Sequence, residues 1–114
     1  MIENFGIGID IVEINRFRDI PFKEKTTFYK KIFNKNEIEY CLQYKDPYPH
    51  FAGKFALKEA VKKSINENIS LLEINTSHVN EKPTISISLK NYRFLVSITH
   101  EKNYAVGVAI TEKL

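Results

Sequence analysis

The 114-residue chain has one cysteine, Cys41, so no disulfide can form within it. A lone thiol in a helical pattern reads as a packed side chain rather than a nucleophile, and it suits a reducing, cytoplasmic setting. No apolar run approaches the ~20 residues that cross a bilayer as a helix. The opening M-I-E-N-F-G-I-G-I-D has no basic n-region and carries an acid inside its apolar segment, so it does not read as a secretory signal. Cys/His ligand clusters are missing, which argues against a zinc site. A G-x-x-x-x-G-K-[ST] loop is missing too, and the G-x-G of Gly6 and Gly8 lacks the third glycine, the following helix and the later acid of a dinucleotide fold. Ser97 does not sit in a nucleophile elbow. With no repeat, low-complexity segment or linker, residues 1–114 read as a single domain.

The remaining composition is that of an ordinary globular protein: 43% apolar and 27% charged. The net charge of +3 favours an acidic or phosphorylated partner without demanding nucleic acid. Arg16, Arg18, Lys23, Lys25, Lys30, Lys31 and Lys35 gather in the first half, as a solvated helix face or as a surface for an acidic partner.

Residues 5–12 alternate, with Phe5, Ile7, Ile9 and Ile11 on one side and Gly6, Gly8 and Asp10 on the other, which predicts a strand with one apolar face and one bare face carrying a carboxylate. A turn or short helix over 15–19 stops at Pro21, and 25–33 reads as helical. Asn34 and Glu37 have capping-box spacing before a helix that runs to about Tyr44. Asp46-Pro47-Tyr48-Pro49 marks a loop, and a long helix, apolar around most of its circumference, follows over about 50–65. Strands are predicted at 71–74, 84–89, 94–100 and 104–110; Glu101-Lys102-Asn103 joins the last two as an antiparallel hairpin. In the last strand Ala105, Gly107 and Ala109 form a small face suited to close packing on the long helix. The fold class is α+β: a mostly antiparallel sheet wrapped around a long central helix.

On the long helix, Glu59 shares a sector with Ala52, Ala56 and Lys63, with room beside it, whereas Lys54, Lys58 and Lys62 share another, either facing solvent or reaching toward ligand phosphates. Taken alone, Asp10 could be a solvated strand carboxylate, and Glu59 could form an i,i+4 ion pair with Lys63. Glycine inside a strand, however, invites a close approach to the backbone. Two carboxylates on separate rigid elements among small residues can also supply oxygen ligands to Mg²⁺, which fills its other positions with water and phosphate oxygens. His100, at a strand end, is either structural or part of such a site; His50 and His78 have no supporting context.

Three collinear segments carry a resemblance that spans the whole chain. G-I-G-I-D-I-V-E-I-N-R at 6–16, F-A-G-K-F-A-L-K-E-A-V-K-K at 51–63 and S-I-T-H-E-K-N-Y-A at 97–105 resemble the holo-[acyl-carrier-protein] synthases, the small 4'-phosphopantetheinyl transferases of bacterial fatty-acid synthesis. The resemblance implies the 4'-phosphopantetheinyl transferase fold and an enzyme that transfers the 4'-phosphopantetheine arm of coenzyme A to a serine of apo-acyl carrier protein, releasing adenosine 3',5'-bisphosphate. It implies Asp10 and Glu59 as Mg²⁺ ligands, Lys63 at the coenzyme A phosphates, His100 lining the coenzyme A site and Arg16 meeting the acidic carrier protein. Glu37 matches an acid near the metal's water shell. Trimers with active sites shared between neighbouring subunits are implied as well. The chain departs from the pattern in lacking glycine over 64–70, in having Glu81 before Lys82-Pro83 and in carrying Leu57 and Lys62, the latter a candidate extra phosphate contact. The proton acceptor for the attacking serine stays open among a metal-bound water, Glu59 and Lys63. Other readings of the same residues are a metal-dependent hydrolase of nucleotide pyrophosphates, or a small basic nucleic-acid-binding module using Tyr40, Tyr44 and Lys45.

Overall fold

A computed structural model describes residues 2–114. Strand β1 (Phe5–Glu13) leads into the short helices α1 (Asn15–Arg18) and α2 (Thr26–Lys30). Helix α3 (Lys35–Leu42) starts at the expected capping box, with the Asn34 amide donating to Glu37 Oε1 at 2.7 Å. The long helix α4 (Tyr48–Ser64) tolerates Pro49 because its first turn has no intrahelical N–H bond to lose. Strands β2 (Ile74–Val79), β3 (Lys82–Ile87), β4 (Tyr92–His100) and β5 (Tyr104–Lys113) complete the chain.

Strands β1, β5 and β4 form an antiparallel sheet in that order, so β5 is central and β1 and β4 are its edges. Gly107 pairs with Asp10 on one side and Ile98 on the other. Strands β2 and β3 form a separate hairpin, turned by Asn80 and Glu81 at φ 50° and 67°. Two left-handed residues suit a two-residue hairpin turn, and a glutamate there costs about 1 kcal/mol relative to glycine.

Two expectations are corrected. The predicted strand at 71–74 is a 3-10 turn over Leu71–Glu73, and the strand begins only at Ile74. The Ser70 and Glu73 side chains cap that turn reciprocally, a four-residue signal that favours a helical start over an extended one. The glycine face of β1 is also not bare. It lies against α4, so closely that a Cβ on Gly6 would fall 1.8 Å from the Ser64 carbonyl oxygen and one on Gly8 1.9 Å from that of Ala60. The small face of β5 packs the helix in the same way: Ala105 and Ala109 are fully buried, and a Cβ on Gly107 would meet Leu57 N at 2.5 Å.

Consequently the apolar face of β1 points outward. Ile7 is 69% exposed and Leu95 on β4 72%, and Phe5, Ile9, Ile11, Tyr104 and Ile110 lie on the same open side of the sheet. Under the helices, Phe17, Tyr29, Phe33 and Phe51 form an aromatic core, with the Tyr29 hydroxyl shared between the carbonyls of Phe17 and Ile20. Cys41 is sealed in this core, and burial pushes its thiol up to about 12, which removes it from nucleophilic chemistry. A second cluster, Leu57, Val61, Ile65, Ile69 and Ile74, fills the space between α4 and the β2–β3 hairpin. No helix among the described residues is long and apolar enough to cross a membrane.

Candidate active site

The close approach of β1 to α4 decides where the charged residues meet. With Gly8 against Ala60, Lys63 on the next turn comes over Asp10, and its ammonium lies 3.0 Å from Asp10 Oδ1 and 3.0 Å from the Ile9 carbonyl oxygen. The carboxylate is largely covered and the lysine half open, with side-chain exposures of 19% and 54%. Lys63 therefore turns to Asp10 across the helix–strand contact, not to Glu59 along its own helix. Glu59, one turn earlier on α4 and partly exposed, has no ion-pair or hydrogen-bond partner among the described residues. One cation-holding carboxylate and one uncommitted carboxylate thus flank the same stretch of helix.

These residues suit a hard divalent cation. Asp10 already holds a positive group at 3.0 Å, and Glu59 offers two free oxygens. No three Asp, Glu, His or Cys side chains among the described residues converge as a metal cage, so such an ion would draw most of its ligands from water and substrate.

Arg16 follows Asp10 by six residues. It is exposed on α1, and its guanidinium carbon sits 5.6 Å from the centre of the Phe55 ring, one turn before Glu59. Arg18, by contrast, is committed to Asp46 at 2.5 Å.

Strand β4 ends in a different place. His100 is exposed at the far edge of the sheet, and its ring lies 5.9 Å from that of His50, which stacks on Tyr44 at 3.6 Å. Tyr40 stacks on His78 at 4.3 Å and takes the Lys54 ammonium over its ring at 4.5 Å. Tyr40, His50, Lys54, His78, Pro83 and His100 line a cavity of about 160 Å³. Burial pulls the imidazoles of His50 and His78 below their ordinary range, with His100 adding to the effect on His50 and Lys54 to that on His78. The His78 Nδ1 is buried without a partner among the described residues. A buried ammonium, an unpartnered imidazole nitrogen and two further histidines offer donors to an anion, against the one carboxylate, Glu81, that also lines the cavity.

The structure thus divides the candidate residues. Asp10 and Lys63 meet at the β1 edge, with Glu59 one turn before Lys63 on α4, whereas His100 joins His50, His78 and Lys54 at the β4 edge, two strand spacings or roughly 10 Å across the sheet. Lys62 lies on the helical row of Lys54 and Lys58, half-buried and without a partner among the described residues. That row is not a solvent stripe: Lys54 is 2% exposed and Lys58 fully buried. Glu37 does not join Asp10 and Lys63 either. It is fully buried, and its two oxygens are taken by Lys58, the Asn34 amide and Thr76. The sequence offered Lys54 only as part of a lysine row and gave His50 and His78 no context, because their shared cavity is assembled from α3, α4, the β2–β3 hairpin and β4, which no local pattern links.

Comparison with known proteins agrees with this architecture. Residues 6–109 match the 4'-phosphopantetheinyl transferase superfamily. A curated relative from Thermodesulfovibrio yellowstonii, named holo-[acyl-carrier-protein] synthase, is 38% identical over 113 residues, covering 96% of this chain and 98% of its own. The crystal structure of a holo-(acyl-carrier-protein) synthase from Bacillus anthracis in complex with CoA (3',5'-ADP) superposes with a TM-score of 0.83 at 30% identity, over 96% of both chains. That of the Helicobacter pylori holo-[acyl-carrier-protein] synthase in complex with coenzyme A gives 0.78 at 33% identity, over 90% of this chain and 96% of that one. With its matching motifs, helix–strand contact and fold, the chain belongs to the holo-[acyl-carrier-protein] synthases of the 4'-phosphopantetheinyl transferase superfamily.

Proposed function

We propose that the protein transfers the 4'-phosphopantetheine arm of coenzyme A to a serine of an apo-acyl carrier protein, releasing adenosine 3',5'-bisphosphate. The observation that carries this reading is the Asp10–Lys63 pair beside the uncommitted Glu59, a place where a pyrophosphate and a divalent cation can share one set of charges. Asp10 and Glu59 would hold Mg²⁺, which when bound supplies positive charge to the pyrophosphate oxygens. Lys63, long and half-exposed, can turn its ammonium from Asp10 to a phosphate oxygen as negative charge builds there. The carrier serine oxygen forms the new bond to the β-phosphorus and gives up its proton to a base drawn from Glu59, Lys63 and a bound water, while the bridging P–O bond breaks and its electron pair leaves on the α-phosphate of adenosine 3',5'-bisphosphate. The chain's contribution is positioning and charge stabilisation.

Arg16 on its Phe55 platform, together with the exposed lysines of the first half, suits the acidic surface of a carrier protein and stands next to the reacting centre. The cavity of His100, His50, His78 and Lys54 would take another anionic group of coenzyme A, and Lys62 a further phosphate. The open apolar face of β1, β5 and β4 supports a homotrimer with the site shared between neighbours. These activities belong to cytoplasmic lipid metabolism.

The test is release of adenosine 3',5'-bisphosphate from coenzyme A with Mg²⁺, with and without an apo carrier protein. The reading expects release only with the carrier; release to water without it would instead favour a pyrophosphate hydrolase.

A further inference from the structure

We infer that Lys58, held by Glu37, is the positioning residue that sets the rotation of α4 and so aims Glu59 at the site. This rests on the reading of α4 as the helix that carries the transferase carboxylate.

Where α4 meets β1 and β5 the contact is backbone against backbone, at Gly6, Gly8 and Gly107. Such contacts set the distance between helix and sheet. The side chains that cross between them, Lys63 to Asp10 and Ser64 to Thr111, tie only the last turn of the helix to the sheet and leave its middle without a stop against rotation about the helix axis. The opposite side of the helix supplies that stop. The Lys58 ammonium has three donors and three acceptors: Glu37 Oε1 at 2.5 Å, the Ile32 carbonyl at 2.8 Å and the Leu71 carbonyl at 3.1 Å. The acceptors come from α3, from the segment after α2 and from the 3-10 turn, so the tripod fixes α4 against three separate parts of the chain.

Glu37 is fixed in turn. Its Oε1 also accepts from the Asn34 amide at 2.7 Å, and its Oε2 accepts from the Thr76 amide at 2.8 Å and the Thr76 hydroxyl at 2.5 Å. Thr76 Oγ1 accepts from Lys54 at 3.0 Å, which ties the network to the histidine cavity. Both members of the pair are 0% exposed. A buried ion pair of this kind is weak evidence for stability, since apolar replacements are often neutral, and its value here lies in geometry.

Glu59 is the next residue along and has nothing else to hold it. A carboxylate at ~5–6 Å from the helix axis moves ~1 Å when the helix turns by ~10°, and a displacement of ~1 Å costs about 10²-fold in rate.

The test pairs a double variant, Glu37→Leu/Lys58→Met, with the single variant Lys58→Arg. The first removes both charges together; the second keeps the charge but replaces the three-way ammonium by a planar fork. For each, urea unfolding, coenzyme A affinity by calorimetry and kcat with an apo carrier protein are measured. Expected are folded proteins with affinity for coenzyme A within about three-fold of wild type and kcat lower by at least ~10-fold, approaching ~10²-fold for the double variant. A folded variant with wild-type kcat overturns the positioning role. A double variant that does not fold leaves the decision to Lys58→Arg. Wild-type protein that fails in the same assay would instead overturn the transferase reading on which the inference rests.

Discussion

Replacing Gly8 by alanine should separate the functional pair while leaving both of its charged groups in the chain. The new Cβ would stand 1.9 Å from the Ala60 carbonyl oxygen and 3.0 Å from Lys63 Cβ. Real Cβ atoms essentially never come closer than 3.0 Å, so strand and helix must part by at least about 1.1 Å. The two shortest contacts are to the backbone carbonyl of Ala60, which cannot give way as the end of a flexible side chain can. The cost should lie at the upper end of the ~1–3 kcal/mol typical of overpacking. The same shift stretches the 3.0 Å contact between Lys63 and Asp10 past hydrogen-bonding range and should lower kcat by about 10²-fold. Gly53→Ala is the matched control for stability: its Cβ would meet only the Ile98 Cγ2 methyl, at 2.9 Å, and alanine gains ~1 kcal/mol over glycine within a helix. Urea denaturation of the two variants beside wild type, with kcat for Gly8→Ala, provides the comparison. Gly8→Ala with wild-type stability and turnover would refute the idea that backbone contact between β1 and α4 builds the site.

Other expectations concern individual parts of the site. Asp10→Ala and Glu59→Ala should each lower transfer by at least about 10²–10³-fold while leaving thermal unfolding cooperative, and normal turnover in either would remove it from the proposed metal site. Arg16→Glu should weaken carrier-protein binding far more than coenzyme A binding, measured by calorimetry for each ligand; equal losses would remove its partner role. The depressed pKa of His50 and His78, caused first by burial, means that the unfolded chain binds protons more readily than the folded one. Their unfavourable effect is absent above the ordinary histidine pKa of about 6.5 and grows as pH falls through it, so unfolding free energy should decline from pH ~7.5 to ~5.5, less so in His78→Gln. A pH profile unchanged by His78→Gln would show that this imidazole is not held neutral. Leu95→Asp places a charge on the open sheet face and should shift sedimentation toward the monomer with loss of transfer. Mixing inactive Asp10→Asn and His100→Ala proteins should restore part of the activity if neighbours share a site, and no recovery would contradict that sharing.

Much of the fold was legible because it rests on short-range patterns. The alternation in β1, the Asn34–Glu37 cap and the small face of β5 each appear as they read. What local pattern could not tell was which face of β1 would be covered. Apolar residues ordinarily mark the buried side, but here the glycines let a helix backbone come closer than any side chain would, and the isoleucines are left outside. The lysine row on α4 misled for a related reason. Its spacing is that of a solvated stripe, yet Lys58 meets Glu37 and Lys54 meets Thr76, partners 21 and 22 residues away in sequence that only the tertiary fold brings near. Asp10 and Glu59 stand out as candidates in the sequence because each stands among small residues; the histidine cavity does not, because it draws on α3, α4, β2, β3 and β4, and β2 was expected to end before His78 begins.

The most direct test of the account is the intact mass of an apo-acyl carrier protein after incubation with this protein, coenzyme A and Mg²⁺. The account predicts a gain of one phosphopantetheine group on the carrier's serine, lost when that serine is replaced by alanine. A carrier of unchanged mass, under conditions in which another holo-[acyl-carrier-protein] synthase modifies it, would contradict the account.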